Sequence, residues 1–287
     1  MRRWILGARP RTLPAAIVPV LVGTAVVAGS GIVWWRAVAA LIVALALQVA
    51  TNYSNDLSDG VHGIDGEQRV GPIRLVGSGL ASADEVRLAM LAAFAVAGVA
   101  GLNLATAVTP WLLVVGAVSI MAGWFYTGGS RPYGYLGLGE AFVFIFFGLV
   151  ATVGSAYVHQ REVPNVAWPA AVAVGLLSCA LLAINNLRDR EGDAASGKRT
   201  LAVRLGDRRA RILYVFFLDG ALVVGSLCAL SRPWAALVLV AGLLAGPAVQ
   251  RVLGGADGSE LIEVLGLTGR VQMLAGALLA VGLVLSS

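Results

Sequence analysis

The sequence predicts an all-α membrane protein, a bundle of nine transmembrane helices. Of its 287 residues, 58% are hydrophobic and only 13% are charged, whereas about a quarter of the residues in an ordinary soluble domain are charged. The mean hydropathy is +0.83, and the apolar residues form nearly uncharged runs of about 20 residues, the length that a helix needs to cross a bilayer. Because backbone groups in lipid must be paired within their own segment, these runs are expected to be helices.

Nine such runs follow one another along the chain. They lie near residues 12–29, 34–54, 86–106, 109–127, 140–158, 167–187, 209–229, 233–250 and 268–286. The seven tryptophans fall at or near the ends of these runs, as expected of indole rings at the headgroup level. Residues 1–287 are therefore expected to form a single transmembrane domain.

The basic residues predict the orientation of the helices, because loops rich in Lys and Arg stay in the cytoplasm. With the N-terminus inside, only Arg36, Arg161 and Arg232 of the 21 basic residues are left on the outside. We therefore expect a multi-pass protein of the cell (inner) membrane with a cytoplasmic N-terminus. The same bias accounts for the net charge of +5, so no nucleic-acid partner is expected, and no obligatory protein partner is evident.

Two longer cytoplasmic loops, near residues 55–85 and 188–208, carry related motifs. Asn55–Asp59 and Asn185–Asp189 align at an offset of 130 residues, each at the end of an apolar run. Parallel repeats bring equivalent loops to one face of a membrane protein. We therefore predict two related four-helix units and one terminal helix, with the internal repeat covering about residues 12–127 and 140–250.

The acidic residues of these loops predict a metal site. If the helices continue past the membrane, Asn55 and Asp59 share a helix face, as do Asn185, Asp189 and Asp193. Carboxylates placed this close repel one another unless a cation lies between them. Oxygen ligands suit Mg²⁺, which is commonly shared between one or two carboxylates and a phosphate group.

Basic residues follow each acidic motif. In the first loop, Asp65 and Glu67 are followed by Arg69 and Arg74, and the second loop contains Arg199 and Lys198, the one lysine of the chain. A departing diphosphate needs metal ions and basic side chains to take up its charge. The alternative is that these acids and bases merely pair and solvate one another, but the repetition of the pattern on one face favours a site.

Stretches across nearly the whole chain match one known family. They are residues 8–14 (Ala-Arg-Pro-Arg-Thr-Leu-Pro), 55–65, 69–74, 126–129 (Tyr-Thr-Gly-Gly), 137–140 and 185–206. These motifs resemble those of the intramembrane aromatic prenyltransferases, the UbiA superfamily. Within it, the likeness is closest to the subfamily that acts on 1,4-dihydroxy-2-naphthoate in menaquinone biosynthesis.

The resemblance implies a reaction and its participants. A polyprenyl group would pass from polyprenyl diphosphate to 1,4-dihydroxy-2-naphthoate with Mg²⁺ as cofactor and with loss of the carboxyl group, giving demethylmenaquinone in its reduced, quinol form. Another aromatic acceptor, 4-hydroxybenzoate or homogentisate, is the nearest alternative. A CDP-alcohol phosphotransferase is disfavoured because its Asp-Gly-x-x-Ala-Arg motif is missing, and a cation-coupled transporter is disfavoured because its ion sites lie near the membrane midplane.

The resemblance also implies roles for individual residues. The predicted metal ligands are Asn55, Asp56, Asp59, Asn185, Asp189 and Asp193. Asp59, Asp189 and Lys198 are the predicted catalytic residues. Arg74, Lys198 and Arg199 would contact the diphosphate, and Tyr126 would reach the reacting end of the prenyl chain. His62 and Ser130 depart from the family pattern.

Some residues keep two interpretations. Arg9 and Arg11 could bind the carboxylate of the acceptor or anchor a helix at the membrane surface. Asp219, in the middle of a span, is either functional or a structural acid. Glu140 could simply favour a helix N-terminus, the run 142–147 could line a prenyl tunnel or pack between helices, and His159 is expected to lie idle in an outer loop.

Overall fold

The computed structural model describes residues 2–61, 74–129 and 131–287, and the regular elements in these ranges are helices. They are α1 (Arg2–Ala8), α2 (Pro14–Val26), α3 (Trp34–Val61), α4 (Ala83–Ala107), α5 (Trp111–Phe125), α6 (Gly139–Gln160), α7 (Ala167–Ala195), α8 (Leu201–Leu205), α9 (Asp207–Leu230), α10 (Pro233–Leu253) and α11 (Ser259–Leu285). The residues His62, Asp65, Glu67, Arg69 and Ser130, singled out in the sequence, lie outside the described ranges.

Seven of the described helices are long and apolar enough to cross a membrane, namely α3, α4, α6, α7, α9, α10 and α11. An eighth crossing results if α1 and α2 together count as one bent span. Helix α5 has 15 residues, about 22 Å at 1.5 Å per residue, which is shorter than the roughly 30 Å hydrocarbon core. The chain is thus an integral multi-pass membrane protein in which each predicted run contains a helix, and seven or eight of the described helical segments, compared with nine predicted, are long enough to cross.

Prolines produce the bend between α1 and α2. The two helices meet at 57°, with Pro10 and Pro14 on either side of the break. A residue before proline is disfavoured in the α region, and Arg9 instead adopts a left-handed conformation with φ 51°. The sequence Arg9–Pro14 therefore stops one helix, starts the next and leaves Arg9 between them.

Helix α7 lies at the centre of the bundle and packs against α2, α6, α9 and α11. Its contact with α6 is unusually close, because a Cβ atom added to Gly148 would lie only 2.6 Å from the Cα of Gly175. Around this contact, residues Phe144–Val153 of α6 form a wider π-helical segment. Such segments are frequent at functional sites, and this one forms part of a cavity wall.

The structure corrects the expectation for His159. It lies in the last turn of α6, and only 3% of the residue is exposed. Its Nδ1 accepts a hydrogen bond of 3.1 Å from the backbone N–H of Val33, just before α3, while Arg36 donates to the carbonyl of His159 at 3.1 Å. The imidazole thus joins two helix ends, because it supplies the acceptor that this N–H would otherwise lack.

The contact between Gly148 and Gly175 gives a test of the packing. We expect Gly148→Ala to destabilise the protein by about 1–3 kcal/mol, the usual cost of overpacking, since the new methyl group would meet backbone atoms of α7. The matched control is Gly154→Ala in the same helix, where an added Cβ meets nothing within 4 Å. A thermal melt in detergent should show a lower midpoint for the first variant and not for the second; equal midpoints would contradict the close contact.

Candidate functional site

A stripe of polar side chains follows one side of α3. Gln48, Asn52, Asn55 and Asp59 are spaced by four, three and four residues, which places them along one helix face. Asn52 Nδ2 donates to the carbonyl oxygen of Ala8 at 2.9 Å, so the stripe is attached to the break between α1 and α2. At the other end, Asn55 Oδ1 accepts from Thr127 Oγ1 at 2.9 Å. The polar positions inside an apolar run could have indicated Gln48 and Asn52 from the sequence alone.

Asp56 points to a different side of α3 and holds the segment that begins at Arg74. Its carboxylate is fully buried and accepts hydrogen bonds from the backbone N–H groups of Leu75 at 2.8 Å and Val76 at 2.9 Å. This contact brings Arg74 beside Asp59, where Nη2 donates to Oδ2 at 2.6 Å. Both oxygens of Asp56 are used in this way, and its assignment as a metal ligand stays a prediction.

Asp59 is the centre of the polar cluster. The residue is 2% exposed, and its second oxygen, Oδ1, accepts from Lys198 Nζ at 2.9 Å and from Tyr135 OH at 3.0 Å. The same Nζ lies 3.8 Å from Asp193 Oδ1. One ammonium group therefore joins Asp59 of the first acidic motif to Asp193 of the second, 134 residues further along the chain.

The second motif lies on the last turns of α7, which continue to Ala195 as the shared face requires. Arg188, which the sequence analysis did not single out, organises this motif. Its Nε and Nη2 each lie 2.8 Å from an oxygen of Asp189, and Nη2 also donates to Asn185 Oδ1 at 2.8 Å. Its proximity in sequence to Asp189 was the one available signal.

A glycine returns the chain from α7 to the site. Gly197 has φ 78°, the left-handed conformation that commonly ends a helix. The backbone N–H of Lys198 then donates to the carbonyl of Asp193 at 2.8 Å, and that of Arg199 donates to the carbonyl of Tyr135 at 2.9 Å. Lys198 is thereby directed inward, whereas the side chain of Arg199 is exposed.

The ring of Tyr135 packs against the ammonium group of Lys198. Tyr135 belongs to the short helical turn Tyr133–Leu136, and Lys198 Nζ lies 4.6 Å from the centre of its ring, a cation–π contact. Burial, and then the charge of Asp59, raise the pKa of Tyr135 well above its ordinary value. The phenol therefore stays protonated and donates to Asp59. No sequence signal identified this residue.

A cavity of about 290 Å³ opens beside this cluster. The polar residues of its wall include Arg9, Thr12, Gln48, Asn52, Asn55 and Asn185. The aromatic residues are Tyr126, Tyr133, Phe142, Phe146 and Phe147. Aliphatic residues, including Val43, Leu112 and Val115, line the rest of the cavity between the helices. Tyr126 directly follows α5, and burial raises the pKa of its phenol above the ordinary value. A polar head and a long apolar tail would both find a matching environment.

Four further candidates fall outside the cavity wall. Arg11 is exposed and does not line the cavity, unlike Arg9. Asp219 is exposed on the outer face of α9. Glu140 is buried at the start of α6 and accepts from Asn186 Nδ2 at 2.9 Å, which links α6 to α7. Arg199 reaches the site through its backbone only.

The carboxylate and amide oxygens of this cluster suit Mg²⁺ as part of its coordination shell, not as a complete shell. Among the described residues, no three acidic, histidine or cysteine side chains converge so as to hold a metal by themselves. Mg²⁺ does not require such a cage, because one or two carboxylates, substrate phosphates and waters complete its shell. The ammonium group of Lys198 already lies between Asp59 and Asp193, and Asn55 and Asn185 line the adjacent cavity.

Comparison with known proteins identifies the family to which the sequence is related. The sequence profile of the UbiA prenyltransferase family matches residues 16–260. A 1,4-dihydroxy-2-naphthoate octaprenyltransferase of Mycobacterium tuberculosis is 50% identical over 281 residues, which cover 98% of this chain and 96% of the relative. The enzyme of the same name from Escherichia coli is 36% identical over 300 residues, with 99% and 95% covered.

Solved structures share the fold. An apo structure of a UbiA homolog from Aeropyrum pernix superposes with a TM-score of 0.73 at 16% identity, covering 93% of this chain and 97% of that one. A UbiA homolog from Archaeoglobus fulgidus bound to GPP and Mg²⁺ gives a TM-score of 0.68 at 16% identity, with 96% and 99% covered. From the profile match and the close relatives together, this chain belongs to the UbiA prenyltransferase family.

Proposed function

We propose that the protein transfers a polyprenyl group from polyprenyl diphosphate to 1,4-dihydroxy-2-naphthoate, with loss of carbon dioxide, in menaquinone biosynthesis. The observation that carries this proposal is the ammonium group of Lys198 between Asp59 and Asp193, together with an apolar cavity whose wall includes Asn55 and Asn185 of the same two motifs. The names of the two relatives support the choice of acceptor. An enzyme within the bilayer suits this reaction, because the long apolar chain of the donor lies in the membrane while its diphosphate stays in water.

In this proposal the diphosphate binds at the polar end of the cavity. Asn55, Asp59, Asn185, Asp189 and Asp193 would hold Mg²⁺, which supplies positive charge to the leaving diphosphate when bound. Lys198 and Arg74 lie within 3 Å of Asp59 and would donate to diphosphate oxygens, with Arg199 at the exposed rim. Asp56 is the sixth proposed metal ligand, and its carboxylate also holds the backbone at Leu75 and Val76.

The prenyl chain would extend from Tyr126 between the aromatic and aliphatic walls. The bond between its first carbon and the diphosphate oxygen breaks, a new carbon–carbon bond forms to the naphthoate ring, and the ring loses its carboxyl group as carbon dioxide. The protein aligns the two reactants and excludes water from the allylic cation that develops. Tyr126, kept protonated, presents a neutral ring to that cation.

Arg9 and Arg11 are the proposed partners of the acceptor carboxylate. Arg9 lines the cavity beside Asn52, and Arg11 lies at the surface of the same break. The N-terminus and the site would face the cytoplasm in the cell (inner) membrane, with α1–α2 and the short α5 completing nine crossings as two four-helix units and a terminal helix. Access from the cytoplasm would let the charged acceptor enter without crossing the bilayer.

The reaction itself is the first test. With 1,4-dihydroxy-2-naphthoate, octaprenyl diphosphate and Mg²⁺, the purified protein should form prenylated product and carbon dioxide, and a chelator should stop both. Asp59→Asn and Asp189→Asn should each lower the rate at least about 100-fold, since a metal contact contributes several kcal/mol to such a transition state. Asp84→Asn is the control, because Asp84 is exposed and pairs with Arg87 on the surface.

Two results would contradict this assignment. Product with 4-hydroxybenzoate or homogentisate but not with the naphthoate would replace the acceptor. Full activity of Asp59→Asn and Asp189→Asn would remove the site.

Arg9 gives a test of acceptor binding. We expect Arg9→Gln to raise the KM for the naphthoate about 10-fold or more, because a charge-assisted contact to a carboxylate contributes roughly 1.5–3 kcal/mol, while the KM for octaprenyl diphosphate changes little. Steady-state kinetics with each substrate varied in turn would measure the difference. The same increase in both KM values would instead indicate a general disturbance of the break between α1 and α2.

The cavity wall gives a test of the prenyl path. Gly116 lines the cavity ten residues before Tyr126, about 15 Å along α5, and an added Cβ there meets nothing within 4 Å. We expect Gly116→Phe to lower kcat/KM for octaprenyl diphosphate about 10-fold or more, in the range of altered pocket contacts, and to spare geranyl diphosphate. Gly98→Phe, on the exposed face of α4 with equally open space, is the control. An equal loss for both donors would place the tail elsewhere.

A further inference from the structure

The acidic residues assigned to metal binding already have positively charged partners within the chain. Asp59 contacts Lys198 at 2.9 Å and Arg74 at 2.6 Å. Asp189 contacts Arg188 through two nitrogen–oxygen pairs of 2.8 Å. Asp193 lies 3.8 Å from Lys198. Each of the three carboxylates therefore has a basic side chain within 4 Å.

These pairs are shielded from water. The exposed fractions of the Arg188 and Lys198 side chains are 2% and 10%, and that of Asp59 is 4%. Charges at such distances interact more strongly away from bulk solvent than at a surface. A divalent cation that binds the carboxylates must therefore compete with Lys198 and Arg188 for the same oxygens.

We propose that Lys198 and Arg188 are exchangeable counter-ions of the two acidic motifs, so that Mg²⁺ and a diphosphate bind this site strongly only together. The diphosphate would accept the two basic side chains, and the carboxylates released from them would be available to the metal. This inference rests on the proposed function, since it concerns how that site takes its metal and its diphosphate.

The geometry of the two basic residues suits such an exchange. Arg188 Nη1 is buried and has no hydrogen-bond partner in the part of the chain that the structure describes, so the guanidinium has a donor to offer an incoming anion. Lys198 has a flexible stem and three donors, and it enters from a short loop after α7. A phosphate oxygen beside Asp189 and Asp193 would lie within reach of both.

Linkage makes the inference quantitative. If diphosphate increases the affinity for Mg²⁺ by some factor, Mg²⁺ must increase the affinity for diphosphate by the same factor, and such factors are typically about 5 to 150. Removing a counter-ion should have two opposite effects. The variant should bind Mg²⁺ alone more tightly, because a competitor is gone, and it should gain less from diphosphate.

Calorimetric titration of the full-length protein in detergent tests this directly, with Mg²⁺ alone, inorganic pyrophosphate alone, and each in the presence of the other. The association of Mg²⁺ with pyrophosphate in buffer is measured separately and subtracted. We expect Lys198→Met to tighten the binding of Mg²⁺ alone by a factor of about 5 or more and to reduce the coupling factor. Arg188→Met should act in the same direction.

Arg190→Met is the matched control. Arg190 lies on the same helix two residues beyond Arg188, but it pairs with Glu191 and Asp207, so its loss removes one positive charge without freeing the three carboxylates. The affinity of the Arg190→Met variant for Mg²⁺ alone should match that of the unchanged protein. Because Arg188→Met could weaken folding, the Mg²⁺-induced rise in melting midpoint serves as a second measurement, and it should be larger in Lys198→Met than in the unchanged protein.

The outcomes separate the inference from the proposed function. If Mg²⁺ binds equally well with and without pyrophosphate, and Lys198→Met does not tighten its binding, the exchange is overturned while a metal–diphosphate site remains. If neither ligand binds alone or together, the proposed function fails as well.

Discussion

The buried carboxylate of Asp59 is the group on which the arrangement of the site depends. It comes from α3, but its partners come from three other parts of the chain: Arg74, Tyr135 and Lys198. Leaving such a charge without its partners costs roughly 3–5 kcal/mol. Asp59 therefore links α3 to the segment at Arg74, to the turn Tyr133–Leu136 and to the loop that follows α7.

The surrounding bundle keeps this polar cluster at the edge of an apolar space. The break at Pro10 and Pro14 turns α1 away from α2 and exposes Arg9 to the cavity, while the glycine contact between α6 and α7 allows close approach on another side. No hydrophobic driving force brings helices together in lipid, so helix association depends on the close packing of small residues and on polar contacts between helices. The residues that set the positions of the helices, such as the prolines beside Arg9, thus also set which polar side chains reach the cavity.

Features that follow from local periodicity could be predicted from the sequence. The apolar runs indicated the helices, and the spacing of Asn185, Asp189 and Asp193 indicated a shared face. Features that depend on distant contacts could not. Tyr135 reaches Asp59 across 76 residues, and the buried His159 meets Val33 across 126. The length of α5 was overestimated because the run without charged residues continues through Tyr126 and Thr127, where the helix has already ended.

An ion network of this kind is hard to explain by stability alone. Buried pairs often contribute no more than well-packed apolar residues would, because the desolvation of both charges offsets their attraction. Three carboxylates and three cations concentrated beside one cavity therefore suggest that the charges are retained for binding. A diphosphate with Mg²⁺ carries both signs of charge, and a network with both signs can accept it by rearranging its pairs instead of creating new buried charge. The apolar chain of the proposed donor alone would leave every pair unused, so in the proposed reaction the charge network serves the diphosphate end and its metal.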